Sequence, residues 1–265
     1  MPGTKRMRCA PGLFVCMAAF AVSAGAAEYA PIPGGSFSSV LPPDGKGAPA
    51  SVAAFRLRTL PVSNGDFLAF VRAHPQWRRD RVAPLFADSQ YLAHWIEPVR
   101  IDEAQRNQPV THVSWFAATA YCEGEHARLP TWYEFEFAAA ADETRADARD
   151  DAAWRERILE WYARPSTARL PDVGAGVRNF YRIYDMHGLV WEWVGDYASL
   201  MVSGDNRDQG DPDLLEFCGA GALSTQDREN YAVLMRVALL SSLQAADTTA
   251  NVGFRCAMDG SGDER

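Results

Sequence analysis

The spacing of apolar residues predicts helices in three parts of the chain, over residues 62–73, 114–126 and 131–141. Each predicted helix begins near a hydroxyl residue that can cap its first turn, and these residues are Ser63, Ser114 and Thr131. Asp66 stands three residues after Ser63, and Glu134 three residues after Thr131, which is the pattern of a capping box. The caps therefore predict where these helices begin.

The other apolar runs are short and are interrupted by Gly, Pro, Asp and Asn, as is typical of short strands joined by long loops. With 265 residues, 48% of them hydrophobic, the chain can form one or two folded domains, and no internal repeat divides it. The chain alone predicts an α+β, loop-rich fold. Residues 259–265 contain no apolar residue, and we expect residues 258–265 to form a flexible tail.

Residues 184–193 combine two tryptophans, two carboxylates and a glycine. The order of these residues predicts a turn followed by a short extended segment. Asp185 and Glu192 would then stand at its two ends, with the carbonyl groups of Gly188 and Val190 between them. Such a set of oxygens suits a hard cation such as Ca²⁺. The alternative is a tryptophan-rich core strand with exposed carboxylates.

The first 26 residues have the three-part layout of an export signal. Lys5, Arg6 and Arg8 form a basic region, residues 12–22 are apolar, and residues 24–26 are small enough for a cleavage site. A short membrane anchor is the alternative, but the apolar run is too short to span a bilayer comfortably. We therefore predict a periplasmic or secreted protein that is not attached to the membrane after cleavage.

Cleavage would change both the charge and the cysteine content. The net charge would fall from −8 to −11, because three positive residues and no negative residue leave with the signal. A protein this acidic is not expected to bind nucleic acids or anionic membrane surfaces. Export also permits disulfides. The three cysteines that remain are Cys122, Cys218 and Cys256.

Five blocks of sequence, in this order, resemble the formylglycine-generating enzyme family, whose members are also called sulfatase-modifying factors. The blocks are PGGSF at 33–37, QPVTHVSW at 108–115 leading to Cys122, RLPTWYEFE at 128–136, YDMHGLVWEW at 184–193 and NVGFRC at 251–256. Sulfoxide synthases of ergothioneine synthesis and pyoverdine maturation factors belong to the same superfamily. The resemblance covers most of residues 30–257, which we take as one domain.

The resemblance implies an irregular, C-type-lectin-like α+β fold that is steadied by calcium. It assigns the calcium ligands to the same four positions that the residues suggest, which are Asp185, Gly188, Val190 and Glu192. Leu189 departs from the asparagine that is usual in the family, but it neighbours the ligands and is not one of them. A second calcium site of the family would need ligands in residues 158–165, where we find none, and we do not expect it.

The resemblance also implies a disulfide between Cys122 and Cys256.

The catalytic site of the family is matched less well than its calcium site. Family enzymes carry two cysteines, separated by four residues, whose thiolates bind Cu(I) and support oxidation of a substrate cysteine. The corresponding residues 218–237 contain only Cys218. One thiol cannot form a two-thiolate site, so we do not expect Cu(I). Cys218 is the remaining catalytic candidate or, alternatively, a small buried hydrophobic residue.

No other catalytic motif is present. The five histidines lack metal-ligand spacing, and the chain has no serine nucleophile elbow, phosphate-binding loop or CxxC pair. The aromatic residues of 131–141 are expected in the core.

Three functions follow from the resemblance. The protein could modify an exported protein or peptide, with a degenerate active site. It could be a non-catalytic periplasmic assembly factor for a partner such as a copper-containing reductase. It could also be a siderophore-tailoring protein of the pyoverdine type.

Overall fold

The computed structural model describes residues 27–44, 47–163, 169–199 and 231–260. Within these ranges the helices are α1 (Asn64–Ala73), α2 (Trp115–Gly124), α3 (Trp132–Ala139), α4 (Ala152–Ala163) and α5 (Tyr231–Ser241), with 3₁₀ turns at Pro75–Trp77 and Glu103–Gln105. The strands are β1 (Tyr29–Ile32), β2 (Gly35–Phe37), β3 (Ala50–Val52), β4 (Phe55–Arg58), β5 (Trp191–Glu192), β6 (Val252–Gly253) and β7 (Ala257–Asp259). Short strands and long connections agree with the predicted α+β, loop-rich class.

The three predicted helices begin where their caps place them. Ser63 and Asp66 form a capping box at α1, and Thr131 and Glu134 form another at α3. Ser114 caps α2 by accepting a hydrogen bond from the backbone of residue 117. These side chains satisfy backbone N–H groups that the first turn leaves without partners.

The strands of the described residues form one three-stranded sheet and two pairs. Strand β4 lies between β1 and β7 and is antiparallel to both, while β2 pairs with β3, and β5 runs parallel to β6. The expected start of a flexible tail at residue 258 is wrong, because Met258 and Asp259 pair with Arg56 and Phe55 of β4. Backbone hydrogen bonds to a central strand hold these two residues in the sheet.

The core lies between this sheet and the helices. Aromatic residues of α1 and α2 meet there, with the rings of Phe67 and Tyr121 stacked at 5.8 Å and Phe254 edge-on to both. The predicted disulfide joins Cys122 of α2 to Cys256, just before β7, across 134 residues of sequence. Both cysteines are fully buried. No helix among the described residues is both long and apolar enough to cross a membrane.

Candidate functional site

The run 184–193 forms a bend that leads into β5, as its sequence predicts. Asp185 and Gly188 have positive φ angles of 57° and 84°. A Cβ atom at Gly188 would lie 3.1 Å from the ring of Trp161, so both the backbone conformation and the packing favour glycine there. Parallel pairing of β5 with β6 then brings Glu192 beside the segment that carries Arg255.

Glu192 and Arg255 form a buried ion pair. Nε of Arg255 donates a hydrogen bond to Oε2 of Glu192, and Nη2 of Arg255 donates one to Oε1, both at 2.7 Å. The side chains of Arg255 and Glu192 are 0% and 1% exposed, so water screens neither charge. The paired, bidentate geometry is what allows both charges to remain in the core.

The Asp185 carboxylate lies at the other end of the run and accepts hydrogen bonds from two backbone amides. The N–H of Gly174 donates to Oδ2 at 2.5 Å, and the N–H of Gly176 donates to Oδ1 at 3.1 Å. Burial raises the pKa of Asp185, while the hydrogen bond from Gly174 and the charge of Arg255 act in the opposite direction. This carboxylate therefore holds the 174–176 turn against the bend.

The arrangement does not fit a calcium cage as it stands. Both oxygens of Glu192 already accept hydrogen bonds from a cation, and a second cation beside Arg255 would be repelled. The described residues also contain no group of three or more His, Cys, Asp or Glu side chains able to hold a metal ion. Calcium binding by Asp185, Gly188, Val190 and Glu192 stays a prediction, and an ion there would share the Glu192 carboxylate with Arg255.

The catalytic candidate cannot be placed. Cys218 and the residues up to 230 lie outside the described part of the chain, and the description resumes at helix α5. What α5 contributes can be described, because its residues Val233 and Arg236 line a cavity that helices α3 and α4 complete.

This cavity has a volume of about 50 Å³. Its walls are mostly apolar and aromatic, and they include His187 from the run 184–193. The lining residues used below are Trp132, Phe135, Glu136, Tyr162, His187 and Arg236. A larger cleft of about 240 Å³ lies on the other side of His187 and Trp154, which border both spaces.

His187 and Tyr162 are neutral polar groups of the cavity wall. His187 Nε2 is 2.8 Å from the carbonyl oxygen of Ala139, which can only accept, so Nε2 carries the proton. Nδ1 therefore faces the Tyr162 hydroxyl, 3.4 Å away, as an acceptor. Burial lowers the pKa of His187 to about 4 and raises that of Tyr162 to about 12. Both side chains are uncharged at neutral pH.

Arg236 is the most deeply buried arginine of this wall and is only 6% exposed. Its guanidinium carbon lies 3.2 Å from the centre of the Phe135 ring, in a cation–π arrangement. Nη2 is 3.4 Å from the backbone carbonyl oxygen of Glu192, which makes a long and weak hydrogen bond. Burial lowers the pKa of Arg236 to about 10, so the side chain remains a cation at neutral pH.

Sequence reasoning did not identify this cavity. It placed Trp132 and Phe135 in the core, where they are 2% and 1% exposed, but it did not recognise that they also face a void. The available signal was Arg236 itself, a single charge within the apolar run YAVLMRVALL at 231–240. An arginine in such a run is either paired in the core or directed at a ligand.

Comparison with known proteins identifies the family. Residues 19–260 match the model of the sulfatase-modifying factor enzyme 1-like domain, a range that contains the predicted domain of 30–257. The formylglycine-generating enzyme of Streptomyces coelicolor is 31% identical, over 79% of this chain and 68% of that protein. A Mus musculus protein named inactive C-alpha-formylglycine-generating enzyme 2 is 29% identical, over 85% of this chain and 84% of that protein.

A solved structure shows the same fold. CarF superimposes with a TM-score of 0.50 over 89% of this chain and 99% of its own, at 14% sequence identity. The match in sequence and the match in architecture agree with the five blocks found in the chain. The protein belongs to the formylglycine-generating enzyme family, the sulfatase-modifying factors.

Proposed function

We propose that this protein is an exported sulfatase-modifying-factor-like protein that acts in the modification or maturation of a protein or peptide, without copper-dependent oxidation of cysteine. The cysteine inventory carries the proposal. Three cysteines lie in residues 27–265, and the structure joins two of them, Cys122 and Cys256, in a disulfide. Cys218 is then the third, and one thiolate cannot supply the two sulfur ligands of a linear Cu(I) site.

A relative supports this reading. The mouse protein with 29% identity carries the word inactive in its name, so the family includes members that are described as lacking the activity. The folded scaffold is present here without the cysteine pair, and the disulfide and the Glu192–Arg255 ion pair stabilise its core. A folded scaffold of this family with one remaining thiol suits binding of a partner.

The test is an oxidation assay with a matched enzyme. The purified protein and the Streptomyces coelicolor enzyme are each supplied with Cu(I) and a peptide that carries a sulfatase cysteine motif, in air. We expect the 18-dalton mass loss of formylglycine formation with the Streptomyces enzyme only. Turnover by this protein that is lost in Cys218→Ser and kept in a Cys122→Ser/Cys256→Ser double variant would overturn the proposal.

Two alternatives remain from the same scaffold. If the protein is an assembly factor for a periplasmic copper-containing reductase, a strain that lacks it should contain a reductase with too little copper. If it is a siderophore-tailoring protein, that strain should release an immature siderophore into the culture medium. Mass spectrometry of the medium tests the second alternative, and the copper content of the purified reductase tests the first. A deletion strain that is normal in both but lacks a modified residue in an exported protein supports the proposed function.

A further inference from the structure

The cavity between α3, α4 and α5 contains two buried N–H groups without a hydrogen-bond partner. Nε of Arg236 and Nε1 of Trp132 are both inaccessible to solvent, and neither meets an acceptor. Burial raises the pKa of the Glu136 carboxyl, and the nearby Trp132 side chain acts on it in the opposite direction, although Trp132 Nε1 is not in hydrogen-bond geometry. Leaving such groups unpaired costs stability, and the cost is larger for a charged donor than for a neutral one.

The nearest carboxylates are already engaged. Both oxygens of Glu192 accept from Arg255. Glu136 accepts from the hydroxyl of Ser39 at 2.5 Å and from the N–H of Val40 at 3.0 Å. Among the described residues no carboxylate forms an ion pair with Arg236. The guanidinium stacks on the Phe135 ring and donates to one distant carbonyl, and the Glu192 charge that attracts it is already paired with Arg255.

The remaining wall would accept an anion. His187 donates from Nε2 to the carbonyl oxygen of Ala139 and faces the Tyr162 hydroxyl with Nδ1, so neither side chain places a negative charge on this wall. Arg149 and Arg155 add two further guanidinium groups to the lining, and the charge of Arg149 is shared with Asp147. Glu136 is the acidic residue of the lining, and its hydrogen bonds point to Ser39 and Val40. Both unmatched groups are donors, which selects a ligand that accepts.

We propose that this cavity binds the carboxylate group of a ligand, with the guanidinium of Arg236 as its counter-ion. A carboxylate meets a guanidinium in the fork geometry that gives short, charge-assisted hydrogen bonds. A space of about 50 Å³ admits a few water molecules, so the carboxylate of a ligand fits it together with a short apolar stem. The ligands to test are therefore a chain end and a side chain that carry a carboxylate.

Binding at Arg236 requires neither copper nor cysteine, so failure of the oxidation assay leaves it intact. The probe is propionate, with propionamide as the neutral molecule of the same shape and chloride as a control for ionic strength. Isothermal titration and thermal melting are measured on the purified protein, on Arg236→Met, and on Arg72→Met, which changes an exposed arginine of another helix in the same way.

We expect propionate, and neither propionamide nor chloride, to bind and to raise the melting temperature of the wild type and Arg72→Met. Arg236→Met should bind propionate roughly 10-fold to 100-fold more weakly, the loss expected for hydrogen bonds to a charged group. Without ligand it should melt no lower than the wild type, because removing an unpaired buried charge does not destabilise the core. Arg236→Lys keeps the positive charge but loses the forked guanidinium, so it should bind propionate with intermediate affinity. This variant also tests the proposal if Arg236→Met does not fold.

Equal binding of propionate and propionamide, no binding by the wild type, or undiminished binding by both Arg236 variants would overturn the proposal. Two peptides then locate the source of the carboxylate. Acetylated trialanine with a free carboxyl terminus tests a chain end, and an amidated peptide with a central glutamate tests a side chain. The same amidated peptide with a central glutamine has no carboxylate and should not bind.

Discussion

Replacing Glu192 by glutamine removes one charge from the buried ion pair and leaves Arg255 without a counter-ion. Both side chains are at most 1% exposed, so no solvent screening softens the loss. Breaking one partner of such a pair costs about 3–5 kcal/mol. This is a large share of the 5–15 kcal/mol that stabilises a typical domain. We expect the free energy of unfolding to fall by about this amount in Glu192→Gln.

The measurement is urea unfolding followed by tryptophan fluorescence, in a chelator so that no divalent cation contributes. Trp193 is fully buried beside Glu192 and should report the transition. A double variant, Glu192→Leu/Arg255→Met, replaces both charges by apolar groups. It should lose less stability than Glu192→Gln alone, because no charge is left unpaired.

A loss below about 1 kcal/mol in Glu192→Gln would refute the reasoning, since that is the value of an exposed pair. Glu192→Leu and Arg255→Met are also measured singly. A double variant that loses the sum of these two single losses would refute the reasoning as well, because two residues in contact should be coupled.

Three further predictions concern the disulfide, acid and calcium. Replacing Cys122 and Cys256 by alanine should cost about 2–5 kcal/mol, and non-reduced peptide mapping should recover the bridge between these two residues. Stability should fall as the pH drops from about 6.5 to about 4, because burial lowers the pKa of both His94 and His187 to about 4 and the unfolded chain binds these protons first. His187→Gln should reduce this loss by up to about 3 kcal/mol in urea unfolding at each pH; an unchanged slope would contradict it. If calcium binds at the predicted site, a chelator lowers the melting temperature of the wild type and not of Glu192→Ala; an unmoved wild-type curve would show that the ion is not there.

The sequence by itself determined the family and the local structure. Helix starts at Ser63, Ser114 and Thr131 depend on side chains that bond to backbone within three residues, so local sequence is sufficient to place them. The bend within 184–193 is also visible in the local sequence, but strand β5 at its end forms only by pairing with β6, far along the chain. The Cys122–Cys256 pairing came from the resemblance, since spacing alone could not choose among three cysteines.

Only the tertiary structure decided which partners the charged side chains have. Two carboxylates suggested a cation site. Glu192 accepts hydrogen bonds from Arg255, 63 residues away, and Asp185 accepts them from the backbone of Gly174 and Gly176. The cavity of Arg236 likewise needs α3, α4 and α5 to meet, and no local pattern specifies that meeting. Buried charges take whichever partner the packing brings within about 3 Å, and that choice depends on residues far apart in the chain.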